Sequence, residues 1–356
     1  MNKFKFYFIV LIATVALFSC QKDDPVTIAP PRDYKEQYKN DTIQINNYLD
    51  SHYIEEIDRY ISTPANLNTQ DLKISKITSP STQRSLKSYE DNTGTTFPQL
   101  KIRPVNLHGF VYEVYYLILR EGSKNTSTNK GGRKPANTDS VFTSYSGSYL
   151  KNTVEGSETK VSAVFFEESK FPSDFFSLTG VIKGWSEIFP QFKTGWYEGN
   201  EANGTISYHD FGEGVMFIPS GLAYFNNGAG SIPSYSPLVF SFKLYEITRV
   251  DSDNDGILDF QEDLNGDGYL YNYANKTNYP DFPEDKIRYS DDTDKEDGIP
   301  DYLDIDDDGD GYSTKVELKK PDGTYYTFES VPSCSGENVK RYLSKDCNPK
   351  IDTYIN

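Results

Sequence analysis

At 356 residues, with 28 Tyr and 22 Phe, the chain is long enough for one sizeable aromatic core, or for two domains with linkers. Its formal net charge of −17 sits in one stretch: Asp251 to Glu317 carries 22 acidic and five basic side chains, and the remainder is close to neutral. Charge of this sign, confined to one segment, argues against nucleic acid as a partner.

Residues 1–20 read as a leader: Lys3 and Lys5 precede an apolar run, Phe6 to Phe18, of signal-peptide length. That run is shorter than the roughly 20 apolar residues of a spanning helix. It ends in Leu17-Phe18-Ser19-Cys20, which resembles a bacterial lipobox. The resemblance implies cleavage before Cys20, its thioether lipidation and a membrane anchor through that residue. Gln21-Lys22-Asp23-Asp24 resembles the Lys-plus-acid signal that sends Bacteroidetes lipoproteins to the outer face of the outer membrane. The expected location is the bacterial cell envelope, as an outer-membrane lipoprotein, with exposure at the cell surface favoured over the periplasmic leaflet.

Residues 21–107 read as a tether, a short helix and an irregular linker. Ile43, Ile45, Tyr48, Leu49, Tyr53, Ile54 and Ile57 recur at roughly helical spacing, with Asp41 as N-cap. The bland expectation for this helix is packing on its own domain. Residues 62–107 are rich in Ser, Thr, Asn and Pro, with few apolar clusters. Phe110 to Arg120 is a β-prone run, residues 123–138 a loop, and Ser140 to Tyr145 the next strand.

Val181-Ile182-Lys183-Gly184-Trp185 reads as a short buried helix, and Leu238 to Leu244 alternates as a strand should. Trp185, Tyr224, Ile232 and Phe240, large and apolar with few charges between them, suit an aromatic cleft with one hydroxyl at its mouth. At these residues the chain resembles the FKBP-type peptidyl-prolyl isomerases. The carriers are Val181 to Trp185, Phe217-Ile218-Pro219-Ser220-Gly221-Leu222-Ala223-Tyr224, Ile232-Pro233 and Leu238 to Leu244. Asp139 to Gly147 and a Val164-Phe165-Phe166-Glu167 turn extend the match, so that it covers about residues 108–248.

The resemblance implies an α+β fold, an antiparallel half-barrel sheet wrapped around one short helix, Val181 to about Phe192. It also implies a site. Trp185 is the floor; Tyr145, Phe166, Val181, Ile182 and Phe240 are walls, joined by one of Phe175 or Phe176. The Tyr224 hydroxyl and the Ile232 backbone N–H are donors to a substrate carbonyl. Glu167 stands where the family has Asp, one methylene longer. Trp196 to Gly212 is an insertion, expected as a surface loop. His52, His108 and His209 are far apart in sequence and complete no nucleophile motif.

Asp251, Asp253, Asp255, Ile257, Asp259 and Glu262 occupy positions 1, 3, 5, 7, 9 and 12 of a loop with Gly256 at position 6. Asp306, Asp308, Asp310, Tyr312, Thr314 and Glu317 repeat that register around Gly311. Six or more oxygens, a Gly for the sharp turn and a terminal Glu are what calcium takes. Asp263, Asn265 and Asp267, then Asp292, Asp294, Asp297, Asp301 and Asp304, add partial units. The spacing resembles thrombospondin type 3 repeats over about 251–317, which implies structural Ca²⁺ and a segment, 249–320, with no core of its own without metal. In the tail, 321–356, Cys334 and Cys347 read as a local disulfide.

The sequence thus points to a lipid-anchored prolyl isomerase acting on proline-containing polypeptides during export. The alternative is a proline-peptide binding or adhesion module with a calcium-stiffened spacer. Rotation about Xaa-Pro faces ~18–20 kcal/mol, and no nucleophile is needed, so an apolar cleft with one or two donors suffices.

Overall fold

Asp33 opens a helix, Tyr34–Ser51 (α1), by accepting the Glu36 N–H at 2.9 Å. The structure is a computed structural model that describes residues 30–56, 72–94, 96–200, 204–263, 265–271, 299–334 and 339–347. Cys20 and its leader, Ile57, and Asp292, Asp294 and Asp297 lie outside these residues, and Asp33–Asn356 forms one compact unit. Asp41 is therefore not the N-cap that the spacing predicts. It lies two turns inside α1, fully buried, because its carboxylate is taken by a distant loop: Ser220 N–H donates at 2.8 Å and Ser220 Oγ at 2.6 Å. The chain leaves the helix as a strand, His52–Glu56 (β1), paired with Lys73–Lys76 (β2), so Tyr53 and Ile54 are not helical.

The main sheet is antiparallel throughout. Gln99–Leu107 (β3) and Phe110–Arg120 (β4) form a hairpin, as do Ser140–Glu155 (β5) and Glu158–Ser169 (β6). Phe176–Ser177 (β7) adds to β5. A helix follows, Lys183–Ile188 (α2), continued by a 3-10 turn over Phe189–Gln191. Next come a hairpin, Trp196–Asn200 (β8) with Thr205–His209 (β9), then Gly212–Ile218 (β10) and Leu238–Thr248 (β11). The order is β3-β4-β10-β11-β5-β6, a curled sheet with α2 on its inner face. This is the α+β class and antiparallel half-barrel that the sequence predicts. Two strands run beyond their expected bounds. β3 falls in the stretch expected to be irregular, where Leu100 and Val105 find an apolar sheet to pack on, and β5 extends to Glu155. The insertion forms a hairpin whose strands bear exposed Tyr197 and Ile206.

β10 is buried along its whole length, which requires cover on both faces. Met216 and Ile218 join Tyr116, Ile118, Trp185, Phe189, Phe240 and Phe242 in the inner core. Val215 and Phe217, pointing the other way, join Ile45, Tyr48 and Leu49 of α1 with Tyr115, Leu117 and Val239. The early helix thus packs on its own domain, as the back cover of the sheet. Gly184 lets α2 approach from the front: a Cβ there would lie 2.4 Å from Ile218 Cγ2.

Beyond β11, Ile257, Leu318, Val331, Tyr342 and Leu343 form a separate small core beside a one-turn helix, Thr314–Glu317 (α3). It draws on residues either side of the boundary expected at 320. Cys334 and Cys347 are bonded, their Cα atoms 5.5 Å apart.

Candidate functional site

Between α2 and the inner face of β5, β6 and β11 lies a cavity of about 450 Å³. It is lined by Tyr145, Phe166, Glu167, Phe176, Gly180, Val181, Ile182, Trp185, Tyr224 and Phe240. Eight of the nine residues singled out in the sequence are brought together here, and Phe176, not the exposed Phe175, supplies the further wall. Trp185 is held edge-on by its neighbours: its ring lies 5.0 Å from Tyr145, 5.3 Å from Phe240 and 5.8 Å from Phe176, near-perpendicular to each. Edge-to-face pairs each contribute about 0.5–1.5 kcal/mol beyond burial, so the floor is fixed before any ligand arrives. Trp185 Nε1 is buried with no hydrogen-bond partner among the described residues.

Phe166 and Glu167 are neighbours, yet both line the cavity. On a regular strand they would face opposite ways. The β5–β6 register shifts here, with Gly147 opposite Glu167 but Ser148 opposite Phe165, and this bulge turns both inward. The two are thus in a bulged strand, not the turn that the sequence predicts. Gly147 makes the room: a Cβ on it would lie 2.5 Å from Phe166 Cζ and 2.8 Å from Phe240 Cε1. Glu167, one methylene longer than the family's Asp, is anchored by the Tyr145 hydroxyl, which donates to its Oε1. Burial, then this carboxylate, raises the Tyr145 phenol's pKa, and the same two causes raise that of Tyr224. Both phenols stay protonated donors at neutral pH. Tyr224 is 37% exposed, at the mouth.

Ile232 is the exception. It is buried outside the lining, and its N–H donates to Ala229 O at 2.8 Å while its carbonyl accepts from Ala229 N–H at 3.1 Å. The tight 229–232 turn consumes the donor expected to face substrate.

Among its described residues, the acidic segment builds one local motif three times. Asp255 N–H donates to Asp253 Oδ1, Gly256 N–H to Asp251 Oδ2 and Ile257 N–H to Asp255 Oδ1. The same three bonds recur at Asp263, Asn265, Asp267 and Tyr269, and at Asp306, Asp308, Asp310 and Tyr312. In the first and third loops the carboxylates converge. Asp253, Asp255 and Glu262 bring oxygens within 4.8 Å of one another and of Asp307, as do Asp306, Asp308 and Asp310 among themselves. Asp307 escapes the sequence reading because it is position 2 of its own loop yet serves the first; the only sign is the run of three Asp at 306–308. Position 9 is a brace and not a converging oxygen: Asp259 accepts from Ser252 N–H at 2.8 Å and Oγ at 2.7 Å, and Thr314 Oγ1 from Asp307 N–H at 3.2 Å. Asp304 accepts the Asp306 N–H at 3.0 Å, and Asp301, itself buried, opens a 3-10 turn.

Among the described residues, both oxygens of Glu262 and of Glu317 are buried without a hydrogen-bond partner, as are oxygens of Asp253, Asp255, Asp307, Asp308 and Asp310. Burial, then neighbouring carboxylates, pushes Glu262 up to about 11, Glu317 to about 9 and Asp253 and Asp308 to about 7. Orphaned, all-oxygen, mutually repelling donors are what a hard cation of flexible coordination satisfies, so these residues fit Ca²⁺.

No curated protein matches the chain. The family model described as BamM C-terminal matches residues 252–341, about a quarter of the chain, taking in the acidic loops and most of the small core. Similar solved structures include a peptidyl-prolyl cis-trans isomerase from Pseudomonas syringae pv. tomato and FkpA from Escherichia coli. The first is 22% identical with a TM-score of 0.27, over 46% of this chain and 86% of that one. The second is 23% identical with a TM-score of 0.28, over 46% of this chain and 55%, just over half, of FkpA. With TM-scores this low, neither likeness bears on the reading of the cleft.

Proposed function

We propose that the protein is a peptidyl-prolyl cis-trans isomerase of the FKBP type, acting on proline-containing polypeptides outside the cytoplasm. One observation carries the reading: residues from Tyr145 to Phe240, quoted for the resemblance, converge on one aromatic cavity with a phenol at its mouth. The reaction breaks no bond and moves no proton. In the ground state amide resonance gives the imide a large dipole, well solvated by water; in the twisted state the C–N bond is single and the dipole smaller. A rigid apolar box of this size takes the prolyl ring against Trp185 and binds the twisted imide in preference to the planar one. Tyr224 Oη–H meets a substrate carbonyl, and Tyr145 holds Glu167 beside the twisting carbonyl. A gain of ~10⁶ in rate needs about 8 kcal/mol of such preference.

In the acidic segment, Asp253, Asp255, Glu262 and Asp307, and Asp306, Asp308, Asp310 and Glu317, would hold Ca²⁺, which supplies charge neutralisation and so compacts the segment. Cys20 would carry the lipid anchor that keeps the protein in the envelope, on the outer membrane.

A second reading, a proline-peptide binding module without turnover, is favoured by one observation, the internal use of the Ile232 N–H. Exchange spectroscopy on a short Xaa-Pro peptide separates the two. Acceleration that falls at least about tenfold in Tyr224→Phe and Phe240→Ala supports catalysis. Peptide binding without acceleration supports the module, and neither effect overturns both.

A further inference from the structure

Among the described residues, the acidic segment packs against α2 on the side away from the cavity. Tyr269 follows Gly268 directly, at position 7 of the middle loop, the position whose backbone carbonyl completes such a calcium loop. Its side chain is almost fully buried against α2: Oη donates to the Glu187 carbonyl at 2.6 Å and accepts from Gln191 Nε2 at 2.6 Å. Tyr271, two residues on, donates to the Glu187 carboxylate at 3.0 Å and accepts from Arg103 Nη2 at 3.0 Å. Glu187 is fully buried, paired with Lys183 at 2.8 Å and Arg103 at 3.4 Å, and the Arg103 guanidinium lies 3.5 Å from the Tyr269 ring centre. The backbone between is clamped as well. Asn137 N–H donates to Gly268 O at 2.9 Å and its side-chain amide exchanges two 2.8 Å bonds with Leu270. Two residues before Glu187, on the same short helix, stands Trp185.

We propose that Tyr269 and Tyr271 are positioning residues of the cleft: they tie the middle acidic loop to the helix that carries Trp185, so that calcium loading of the acidic segment and peptide binding in the cleft strengthen each other. The proposal rests on the isomerase and calcium readings above. The physical reason is the length of α2. Six residues have little helical stability of their own, so the helix takes its placement from its contacts. On one side these are the cavity walls, and on the other they are Tyr269, Tyr271 and Arg103. Calcium held by the first and third loops compacts the segment, and that holds in place the backbone carrying Tyr269, whose ring caps the carbonyl end of α2. Such coupling is reciprocal: whatever factor calcium adds to peptide affinity, peptide adds to calcium affinity.

The test uses the full chain with Trp196→Phe, which leaves Trp185 as the one indole, and the metal alone as first probe. Calcium is titrated while Trp185 emission is followed, and calorimetry reports binding in the same samples. A saturable change in Trp185 emission is expected at the calcium concentrations where heat appears. In Tyr269→Phe/Tyr271→Phe the heat from the first and third loops persists and the emission change falls at least about fivefold, within the usual span of coupling. An Xaa-Pro peptide should bind about five- to tenfold tighter in calcium, and calcium should bind tighter by the same factor with peptide, a comparison that needs no variant. Calcium heat with unchanged Trp185 emission and unchanged peptide affinity overturns the coupling and leaves both sites standing. An emission change without peptide binding sinks the isomerase reading and supports the brace. Absence of calcium heat overturns the calcium reading and the coupling with it.

Discussion

Gly147 decides whether the cavity exists. Its missing side chain is the space that Phe166 and Phe240 occupy. Gly147→Ala should therefore displace both rings and weaken Xaa-Pro peptide binding by at least about tenfold, since a misplaced pocket wall costs that much even far from the reacting bond. Titration calorimetry, with circular dichroism to confirm a retained fold, checks this. Asp41 decides something different. Replacing it with Ala leaves Ser220 N–H and Oγ, both buried, without an acceptor, at about 1–3 kcal/mol. Urea unfolding should show the loss, and peptide affinity should fall with it, because Ser220 begins the 3-10 turn that leads to Tyr224. Most of the cavity was legible in the sequence, since side chains such as Trp185, Tyr224 and Phe240 declare their chemistry wherever they stand. Gly147 and Asp41 were not read for their roles, because close approach and a contact 179 residues away in sequence leave no local signature.

At the level of elements, strands were easier to read than their partners. β4 and β11 show in composition because both faces of the sheet are apolar. β3 does not, because an edge strand with one covered face reads Gln-Leu-Lys-Ile-Arg-Pro-Val and resembles a loop. The acidic loops were legible through their Gly and Asp spacing, but the exchange of Asp307 between loops belongs to three dimensions. These elements carry a pH prediction. Without metal, Asp253, Asp255, Glu262, Asp308 and Glu317 hold protons in the fold that the unfolded chain releases in the ordinary carboxylate range. Their contribution is then fully present below that range and is lost as pH rises, through about 6 to 7 for the aspartates. The metal-free protein should melt at a lower temperature at pH 8 than at pH 5, as scanning calorimetry would show. Saturating calcium should reverse the slope between those pH values, because binding then needs the deprotonated forms.

Across the whole molecule, the sheet and the acidic segment have separate cores, so they should fail separately. With a calcium chelator, limited proteolysis should cut within 249–320 and spare the sheet over 99–248; with calcium, both should resist. Simultaneous cleavage in both regions would contradict two cores.

The back cover supplied by α1 also bears on how the protein can be divided. A piece beginning at residue 108 keeps every residue of the cleft but loses Ile45, Tyr48, Leu49 and Leu100 from the rear of the sheet. Tyr115, Leu117, Val215, Phe217 and Val239 would then face solvent as one continuous sticky surface beside a newly bared edge. Such a fragment would precipitate or pair with itself, and its silence in an assay would report insolubility and nothing about the cleft. A piece that keeps the rear of the sheet covered must include all of α1 and its cap at Asp33.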